Sequence, residues 1–397
     1  MRHLLPVAWV PGEEDCEALL YFPPMLPQVF SQLFGSSCPA SSPPFLIGVL
    51  PGEGVGPAVV DAALEVLAAV GSVSGLAFEV RFGGAIGLDA IGQSGKPLSA
   101  EVSGFCREVF AAGGAVLAGP GGGRFVYDMR RTFDLFCKLS PIHPFEELRG
   151  AGRLRPEAGD GIDLVVMREN LGGLYQGESE SADRRVVHTF SCSEEEARRV
   201  LEAGVRLARQ RRGRLTVVVK DSGLPALSAL WREQARAAAA GAGIEHAFLD
   251  IDYAVYQLIQ NPRDLDVLVA PNCFGDILAD LGGVLMGSRG LTYGVSVSAA
   301  GAAVYQTNHG AAYDLAGADR ANPAGQILSL ALMLRESFGL AAEADLVTEA
   351  LRRVWAGGWR TADLGEPGCR VVGTRELTRR VAEAVLSTAA VPAGRSR

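Results

Sequence analysis

Residues 266–280 read Asp266-Val-Leu-Val-Ala-Pro-Asn-Cys-Phe-Gly-Asp-Ile-Leu-Ala-Asp280. The apolar start of this stretch predicts a buried strand, and its second half predicts a helix that begins where the strand ends. On that helix Asp276 and Asp280 share one face near the N-terminus, where like charges repel unless a divalent cation binds between them. Asp252, just before an apolar helix predicted over 253–259, could complete an all-oxygen Mg2+ or Mn2+ site. The alternative explanation for Asp276 and Asp280 is a solvated helix N-terminus, where the helix dipole favours acidic side chains.

The same alternation of apolar strands and helices continues outward from this stretch and predicts an α/β fold. Apolar runs typical of buried strands cover 45–50, 115–118, 163–167 and 215–219. Helices are predicted over 58–70 and 193–210, the second with Ser193 as N-cap and Glu196 at the capping-box position. The glycine-rich segment 52–56 lacks the G-x-G-x-x-G spacing, so a tight turn explains it better than a phosphate cradle.

The composition is that of a globular chain and excludes several classes of protein. The 397 residues are 48% hydrophobic and 21% charged, and their number suggests two domains with at most a small third piece. No uninterrupted apolar stretch of about 18 residues predicts a transmembrane helix, and the first residues do not resemble a signal peptide. A net charge of -8 without a basic run argues against binding nucleic acid or an anionic membrane as the main role.

Cysteine and lysine usage adds two further indications. The seven cysteines include no C-x-x-C pair, which favours reduced thiols in a cytoplasmic protein over a disulfide scaffold or a zinc knuckle. Of the 37 basic residues, 34 are arginine, a skew typical of codon preference. A lysine that persists against this skew is therefore more informative than usual; the three are Lys96, Lys138 and Lys220.

The two ends of the chain differ from the rest. Residues 1–44 hold eight of the 21 prolines without sustained periodicity, so we expect a poorly ordered N-terminal extension or an upstream start that is not the true one. The tail after Thr388 is rich in Ala, Pro, Gly, Ser and Arg and is expected to fray.

Several polar side chains stand at positions suited to binding or proton transfer. Arg130 lies beside apolar residues and Arg168 ends a predicted strand; either could bind a carboxylate bidentately or form a structural ion pair. Tyr175 follows in a Gly-Gly-Leu-Tyr turn. Lys220 ends another strand, where a lysine serves as a charge donor, a proton shuttle or a solvated surface residue.

A loop of small residues over 308–317, followed by Ala-Asn-Pro at 321–323, carries spaced polar groups. It could wrap an adenosine, with Asp314 accepting hydrogen bonds from ribose hydroxyls. A lone histidine such as His309 is more often a satisfied loop or core residue.

Taken in order, these segments resemble the metal-dependent β-decarboxylating dehydrogenases that act on isopropylmalate, isocitrate, homoisocitrate or tartrate. The resemblance runs from about Phe45 to about Val385. Its most specific part begins at 272–280 and continues through Gly287-Ser-Arg-Gly-Leu291, His309-Gly310 and Ala321-Asn-Pro323.

The resemblance implies a two-domain isopropylmalate/isocitrate dehydrogenase-like fold, with the active site in the cleft between the domains. The large, discontinuous cofactor-binding domain would comprise 45–145 and 293–390. The small domain, with the metal site and dimer interface, would comprise 146–292. These enzymes act as homodimers in which the lysine and one metal aspartate come from the neighbouring subunit, so shared active sites are expected.

Individual roles follow from the resemblance, residue by residue. The implied metal ligands are Asp252, Asp276 and Asp280. The implied substrate-carboxylate arginines are Arg130 and Arg168, and the implied acid/base pair is Tyr175 and Lys220. The implied NAD-binding residues are His309, Gly310, Asp314 and Asn322. NAD is favoured over NADP because members of the family that use NADP usually carry a basic residue where Asp314 stands.

The implied reaction is NAD-linked oxidation, with β-decarboxylation, of a 3-substituted malate, a small 2-hydroxy di- or tricarboxylic acid. A divalent ion, Mg2+ or Mn2+, would lower the pKa of the 2-hydroxyl so that hydride can leave to NAD+. Lys220 would take the hydroxyl proton, and Tyr175 would protonate the enol carbon after loss of the carboxylate.

Substrate recognition departs from the family pattern. Ser140 stands where the family has a second carboxylate arginine, and Lys138 stands where it has an asparagine. On an extended segment these two residues share a face, so the ammonium group could approach the carboxylate that Ser140 no longer reaches. A shortened segment before Arg130 carries Arg124 where the family contacts the variable group. We expect Lys138 and Arg124 to bind substrate and that group to be polar or anionic, unless Arg124 turns into solvent.

Two alternatives remain open. The enzyme could oxidise its substrate without decarboxylation, because one arginine of the β-carboxylate contact is missing. It could also be a catalytically silent paralogue that regulates a partner subunit, although the retained aspartates, Tyr175 and Lys220 argue against silence.

Overall fold

A computed structural model describes residues 43–388, in which strands and helices alternate as predicted. Almost all of the expected N-terminal extension, 1–44, and the tail after Thr388 lie outside the described residues. The expected α/β class is confirmed. The boundaries between the two domains stay a prediction.

The described part of the chain contains fourteen strands and eleven α-helices, joined by turns and short 3-10 segments. The strands are β1 Phe45–Leu50, β2 Phe78–Phe82, β3 Ala115–Ala118, β4 Cys137–Ile142, β5 Leu164–Glu169, β6 Glu178–Ala182, β7 Arg185–Thr189, β8 Arg214–Val219, β9 Glu245–Asp250, β10 Val267–Ala270, β11 Tyr293–Val297, β12 Ala303–Thr307, β13 Trp359–Arg360 and β14 Arg370–Val371. The helices are α1 Gly56–Ser74, α2 Gly87–Ser94, α3 Ala100–Ala111, α4 Phe125–Thr132, α5 Glu194–Gln210, α6 Pro225–Ala239, α7 Ile251–Gln260, α8 Asn272–Met286, α9 Ala324–Glu336, α10 Ala341–Ala356 and α11 Thr374–Thr388.

Ten of the strands form one sheet in the order β2-β1-β3-β12-β11-β4-β5-β10-β8-β9. Each end of the sheet is parallel, which suits strands buried under helices on both faces. The centre is antiparallel, because β11 runs against both β12 and β4, and β4 runs against β5. The antiparallel centre therefore joins two parallel wings into one continuous sheet.

Local sequence signals account for several element boundaries. Ser193 and Glu196 form the predicted capping box, with hydrogen bonds of 3.2 Å to the Ser193 hydroxyl and 2.7 Å to the Glu196 carboxylate. The turn after β1 is tight because Gly52 and Gly54 adopt φ values of 82° and 61°. A Cβ on Gly54 would lie 2.0 Å from the carbonyl oxygen of Ala311, so this turn supports the 308–317 loop.

Helix α1 packs in the interior of the fold. By length and composition alone it is the one helix within 43–388 that could cross a membrane. Its residues Val59, Val60 and Val66 are fully buried, and the helix packs against α9 and α11. Its apolar character is therefore explained by the core it helps to form.

Candidate active site

The candidate site begins at the antiparallel centre of the sheet. Lys138 on β4 lies directly opposite Arg168 on β5 and, on its other side, opposite Ser296 on β11. Directly opposed residues project from the same face of a sheet. Both cations are almost fully buried, with 6% and 3% of their surfaces exposed.

Helix α8 lies against β5 and supplies the partners of Arg168. The guanidinium donates to Asn272 Oδ1 from Nε at 3.0 Å and from Nη2 at 2.7 Å, and it forms an ion pair with Asp276. A Cβ at Gly275 would lie 2.7 Å from the Cβ of Arg168, so glycine is needed for this approach. The motif that predicted the strand-to-helix junction therefore fixes Arg168 and Asp276 together.

A second buried arginine, Arg130 on α4, belongs to the same cluster. Only 3% of its surface is exposed, and its Nε and Nη1 have no hydrogen-bond partner among residues 43–388. Burial, together with the nearby charge of Arg168, lowers the pKa of Arg130 to about 9. Unpaired donors on a buried cation carry a large desolvation cost, which an incoming anion would offset.

Tyr175 lies beside these cations in the turn Leu174–Gln176. Its ring is 5.4 Å from the guanidinium carbon of Arg168, and its ring centroid is 5.8 Å from that of Tyr127. Burial and a hydrogen bond with Cys273 raise the pKa of the phenol well above its usual range. Tyr175 therefore carries its proton at neutral pH, as a proton donor must.

Arg124 contacts the turn that holds Tyr175. Its Nη2 donates to the Tyr175 carbonyl oxygen at 3.0 Å, and its guanidinium carbon is 4.9 Å from the Tyr127 ring centroid. Arg131 also holds this turn, since its Nη2 donates to the Gln176 carbonyl oxygen at 2.6 Å. Arg124 is thus exposed to solvent but held against the site by two contacts.

The two aspartates of α8 are half exposed and each is paired with an arginine. Asp276 pairs with Arg168, while Asp280 accepts 2.9 Å contacts from Nε and Nη2 of Arg289. In each aspartate 44% of the side chain is exposed. Their carboxylate oxygens are the ligand type that Mg2+ and Mn2+ prefer.

The remaining metal candidate lies in a separate cluster with the candidate base. Lys220 Nζ is 2.7 Å from Asp252 Oδ1 and 3.6 Å from Asp250 Oδ2. This hydrogen bond raises the pKa of Lys220 and lowers that of Asp252. Over residues 43–388 no three His, Cys, Asp or Glu side chains of a single chain are grouped to hold a metal. One chain therefore keeps the candidate residues in two separate groups.

The candidate cofactor residues lie on and beside the 308–317 loop. His309 Nδ1 is 2.9 Å from the Gly310 carbonyl oxygen, and burial lowers the pKa of its imidazole. Asp314 is exposed to solvent. Asn322 is buried and bonded to Asp363 and to the Ala324 amide, so it fixes the end of the loop.

Ser140 and Lys138 have different surroundings although they share a strand. Ser140 is buried and accepts a 3.2 Å hydrogen bond from Asn308 Nδ2. The charged neighbours of Lys138 are instead Arg130, Arg168, Asp276 and Asp280. Lys138 therefore lies in the same cluster as the two buried arginines, while its expected contact with a substrate carboxylate stays a prediction.

Glu53 is a buried acid whose role the sequence did not indicate. Its carboxylate accepts from the Asp89 amide at 2.8 Å, the Gly122 amide at 2.5 Å and the Tyr313 hydroxyl at 3.2 Å. It thereby links the 308–317 loop to the segment that leads into Arg124. An acid between two glycines in an apolar turn was the available signal, but its partners lie 36 to 260 residues away.

A cavity of about 1060 Å3 lies elsewhere and contains none of the candidate residues. It is lined by the segment between β4 and β5, the end of α8, and parts of α9 and α10.

Comparisons with known proteins show which family the chain belongs to. The family model described as isocitrate/isopropylmalate dehydrogenase matches residues 46–381. The chain is 39% identical to a 3-isopropylmalate dehydrogenase of Geobacillus kaustophilus, across 87% of this chain and 97% of that protein. It is 36% identical to a 3-isopropylmalate dehydrogenase of Aquifex aeolicus, across 85% and 96%. An isocitrate dehydrogenase structure from Methylococcus capsulatus superposes with a TM-score of 0.76 at 29% identity, covering 86% and 99% of the two chains. The chain therefore belongs to the isocitrate/isopropylmalate dehydrogenase family.

Proposed function

We propose that this protein is an NAD- and divalent-metal-dependent dehydrogenase that oxidises a 3-substituted malate and releases its β-carboxylate as CO2. The observation that carries the proposal is Arg130, a buried guanidinium with unpartnered Nε and Nη1 beside Arg168 and Asp276. Such a cation needs an anion, and carboxylates of a 2-hydroxy diacid satisfy it bidentately. Membership of the family and relatives named 3-isopropylmalate dehydrogenase support the same reaction class.

The donor set fits a hard divalent ion if two chains contribute. Asp276 and Asp280 would hold Mg2+ or Mn2+ from one chain, and Asp252 would come with Lys220 from the second. We propose a homodimer with shared active sites for this reason. The helices that carry these residues also expose apolar side chains suited to such an interface, namely Tyr253, Tyr256, Ile277 and Val284.

The proposed catalytic sequence assigns each chain residue one task. Bound NAD+ would supply a hydride acceptor, and the divalent ion would supply positive charge beside the 2-hydroxyl and its carboxylate. Arg130 and Arg168 would orient the carboxylates so that the C2 hydrogen faces the nicotinamide. Lys220, once neutral, would take the hydroxyl proton as hydride leaves C2. The bond to the β-carboxylate then breaks to release CO2, and Tyr175 would donate its phenolic proton to the resulting carbanionic carbon.

The cofactor loop fits NAD better than NADP. The exposed carboxylate of Asp314 is available to accept hydrogen bonds from ribose hydroxyls and would repel a 2'-phosphate. His309 and Gly310 would lie along the adenosine, with Asn322 holding the loop end. The nearest basic residue in sequence is Arg320, which is exposed and could reduce this preference.

One observation favours a second candidate function. Ser140 cannot replace an arginine and is engaged by Asn308, so the β-carboxylate contact lacks one bidentate donor. Oxidation without decarboxylation is therefore the alternative. A regulatory paralogue without activity is a third outcome of the test below.

A cytoplasmic location is also part of the proposal. The described cysteines are free thiols, as expected for a reducing compartment; they are Cys106, Cys137, Cys192, Cys273 and Cys369.

Formation of NADH from a panel of 3-substituted malates with Mn2+ tests the function, with CO2 assayed separately. We expect both products and a higher kcat/KM with NAD+ than with NADP+. Hydride transfer without CO2 would select the non-decarboxylating alternative. Neither product from folded, metal-loaded protein would contradict the dehydrogenase proposal, and equal efficiency with NADP+ would contradict the assignment of Asp314.

We propose that Arg124 and Tyr127 receive the variable group of the substrate and favour a polar or anionic one. Removing the guanidinium in Arg124→Ala should lower kcat/KM for anionic 3-substituted malates roughly 10-fold or more, since a charge-assisted contact is lost. The value for 3-isopropylmalate should change little. If 3-isopropylmalate has the highest kcat/KM with both the wild type and Arg124→Ala, and the order of the substrates is unchanged, Arg124 does not contact the variable group.

A further inference from the structure

We infer that Lys138 binds substrate directly, supplying the second uncompensated positive charge of a pocket that takes both carboxylates of the malate core. The inference rests on the proposed function and goes beyond it by assigning a binding residue that no family relationship specifies. It is carried by the burial of Lys138, by its neighbours on the sheet and by the ion pairs already formed around it.

Lys138 is a buried cation without a partner of its own. It projects from the centre of the sheet with only 6% of its surface exposed, between Ser296 and Arg168. No ion pair or hydrogen bond of its ammonium group occurs within residues 43–388. Lysine is almost never buried to this extent unless it is paired, because removing the ammonium from water is costly.

The neighbouring charges make this cost greater. Burial, followed by the charges of Arg130 and Arg168, lowers the pKa of Lys138 to about 7. Asp276 and Asp280 act in the opposite direction, but each is already engaged by an arginine, Arg168 and Arg289 respectively. The carboxylates nearest to Lys138 are therefore already engaged, and the carboxylate of an incoming anion would be free to pair with it.

Counting compensated charges gives the class of ligand. Arg168 is paired with Asp276, and Arg130 has two buried donors without a partner. Lys138 likewise forms no ion pair with a carboxylate among the described residues. Two uncompensated cations on one side of the site match the two carboxylates of a malate core. Ser140, the next residue of β4 on the same face, accepts a hydrogen bond from Asn308. Of the two residues, Lys138 is therefore the one that would bind the second carboxylate.

Lysine also differs from arginine in how it would bind. Its ammonium is a compact charge on a flexible stem, whereas a guanidinium offers a fixed planar fork. A lysine can therefore contact a carboxylate whose orientation is set by Arg130 and by the metal ligands. A lysine at position 138 would tolerate a shifted position of this carboxylate. An arginine at position 140, with its fixed planar guanidinium, would not.

The test combines binding and stability in Lys138→Met, with Lys96→Met as a matched control because Lys96 is exposed. Affinity for malate, measured by calorimetry with Mn2+ present, should fall roughly 10- to 100-fold, the loss expected for one charge-assisted contact. The Tm of the ligand-free protein should rise by about 1–3 °C, because an unpaired polar group within the sheet is replaced by an apolar side chain of similar length. Lys96→Met should change neither quantity. A lysine with a purely structural role would instead lower Tm and leave affinity unchanged.

Further variants keep the outcome decisive. Lys138→Gln retains hydrogen-bond donors without the charge and should still bind malate weakly; wild-type affinity in a folded Lys138→Gln would overturn the inference. Lys138→Met combined with Ser140→Arg should recover part of the lost affinity by returning a cation to the same strand face. If Arg130→Met weakens malate binding and both Lys138 variants do not, the inference fails while the proposed function stands. If wild-type protein neither binds malate nor forms NADH from the panel, the proposed function fails as well.

Discussion

A randomly paired mixture of two inactive variants, Lys220→Met and Asp276→Asn, is expected to recover about one quarter of wild-type activity, and its purified mixed dimers about one half. Lys220 lies with Asp252, and Asp276 lies with Arg168, in separate groups of one chain. If the two groups meet only across a two-fold interface, a mixed dimer contains one doubly altered site and one intact site. Random pairing makes about half of the dimers mixed, each with one working site of two.

Two controls distinguish this result from carry-over of wild-type activity. Lys220→Met mixed with Asp252→Asn should recover nothing, because both changes lie in the same group and every site of a mixed dimer is damaged. The two variants should be co-expressed with different affinity tags, and the mixed dimers should be purified on both tags in turn. Absence of activity in pure mixed dimers of Lys220→Met and Asp276→Asn would show that the sites are not shared between chains.

The sequence predicted the elements well because local signals determine them. The predicted strand over 45–50 is β1 without change, and the helix predicted over 58–70 extends by two residues at its start and four at its end, to Gly56–Ser74. Apolar runs and a capping box act over fewer than twenty residues, so one chain segment contains all the information required.

The pairing of strands was not predictable in this way. Lys138 meets Arg168 because β4 and β5 run antiparallel at the centre of an otherwise parallel sheet. No local pattern indicates that reversal, since every residue of both strands is buried and the same burial is found in parallel strands. The two-residue alternation did place Lys138 and Ser140 on one face, but the contact of that face with Arg168 depends on a strand pairing that the alternation does not specify.

Long-range polar contacts escaped the sequence for the same reason. Glu53 binds groups from three distant segments, and Asn272, wholly buried, holds both Arg168 and the Gly172 carbonyl oxygen. Buried polar groups are almost always satisfied, but spacing along the chain does not say by which partner. The separation of Asp252 from Asp276 and Asp280 was implied only by the family resemblance and not by the spacing of the acids.

Asp276→Asn is expected to lower kcat/KM roughly 1000-fold or more and leave the fold intact, because metal-assisted steps depend on a correctly charged ligand set. Asparagine can still accept a hydrogen bond from Arg168, which also remains anchored on Asn272. Loss of the ion pair destabilises the free protein, while relief of repulsion from Asp280 acts in the opposite direction, so Tm should shift by only a few degrees. The Mn2+ concentration needed for half-maximal activity should rise at least 10-fold, since one anionic oxygen ligand is replaced by a neutral one.

Asp264→Asn, at an exposed acid in the turn before β10, is the matched control and should behave as wild type. Near-normal turnover of Asp276→Asn at limiting Mg2+ would show that the cation is held by other residues, because a site that keeps its rate without this carboxylate does not use it as a ligand.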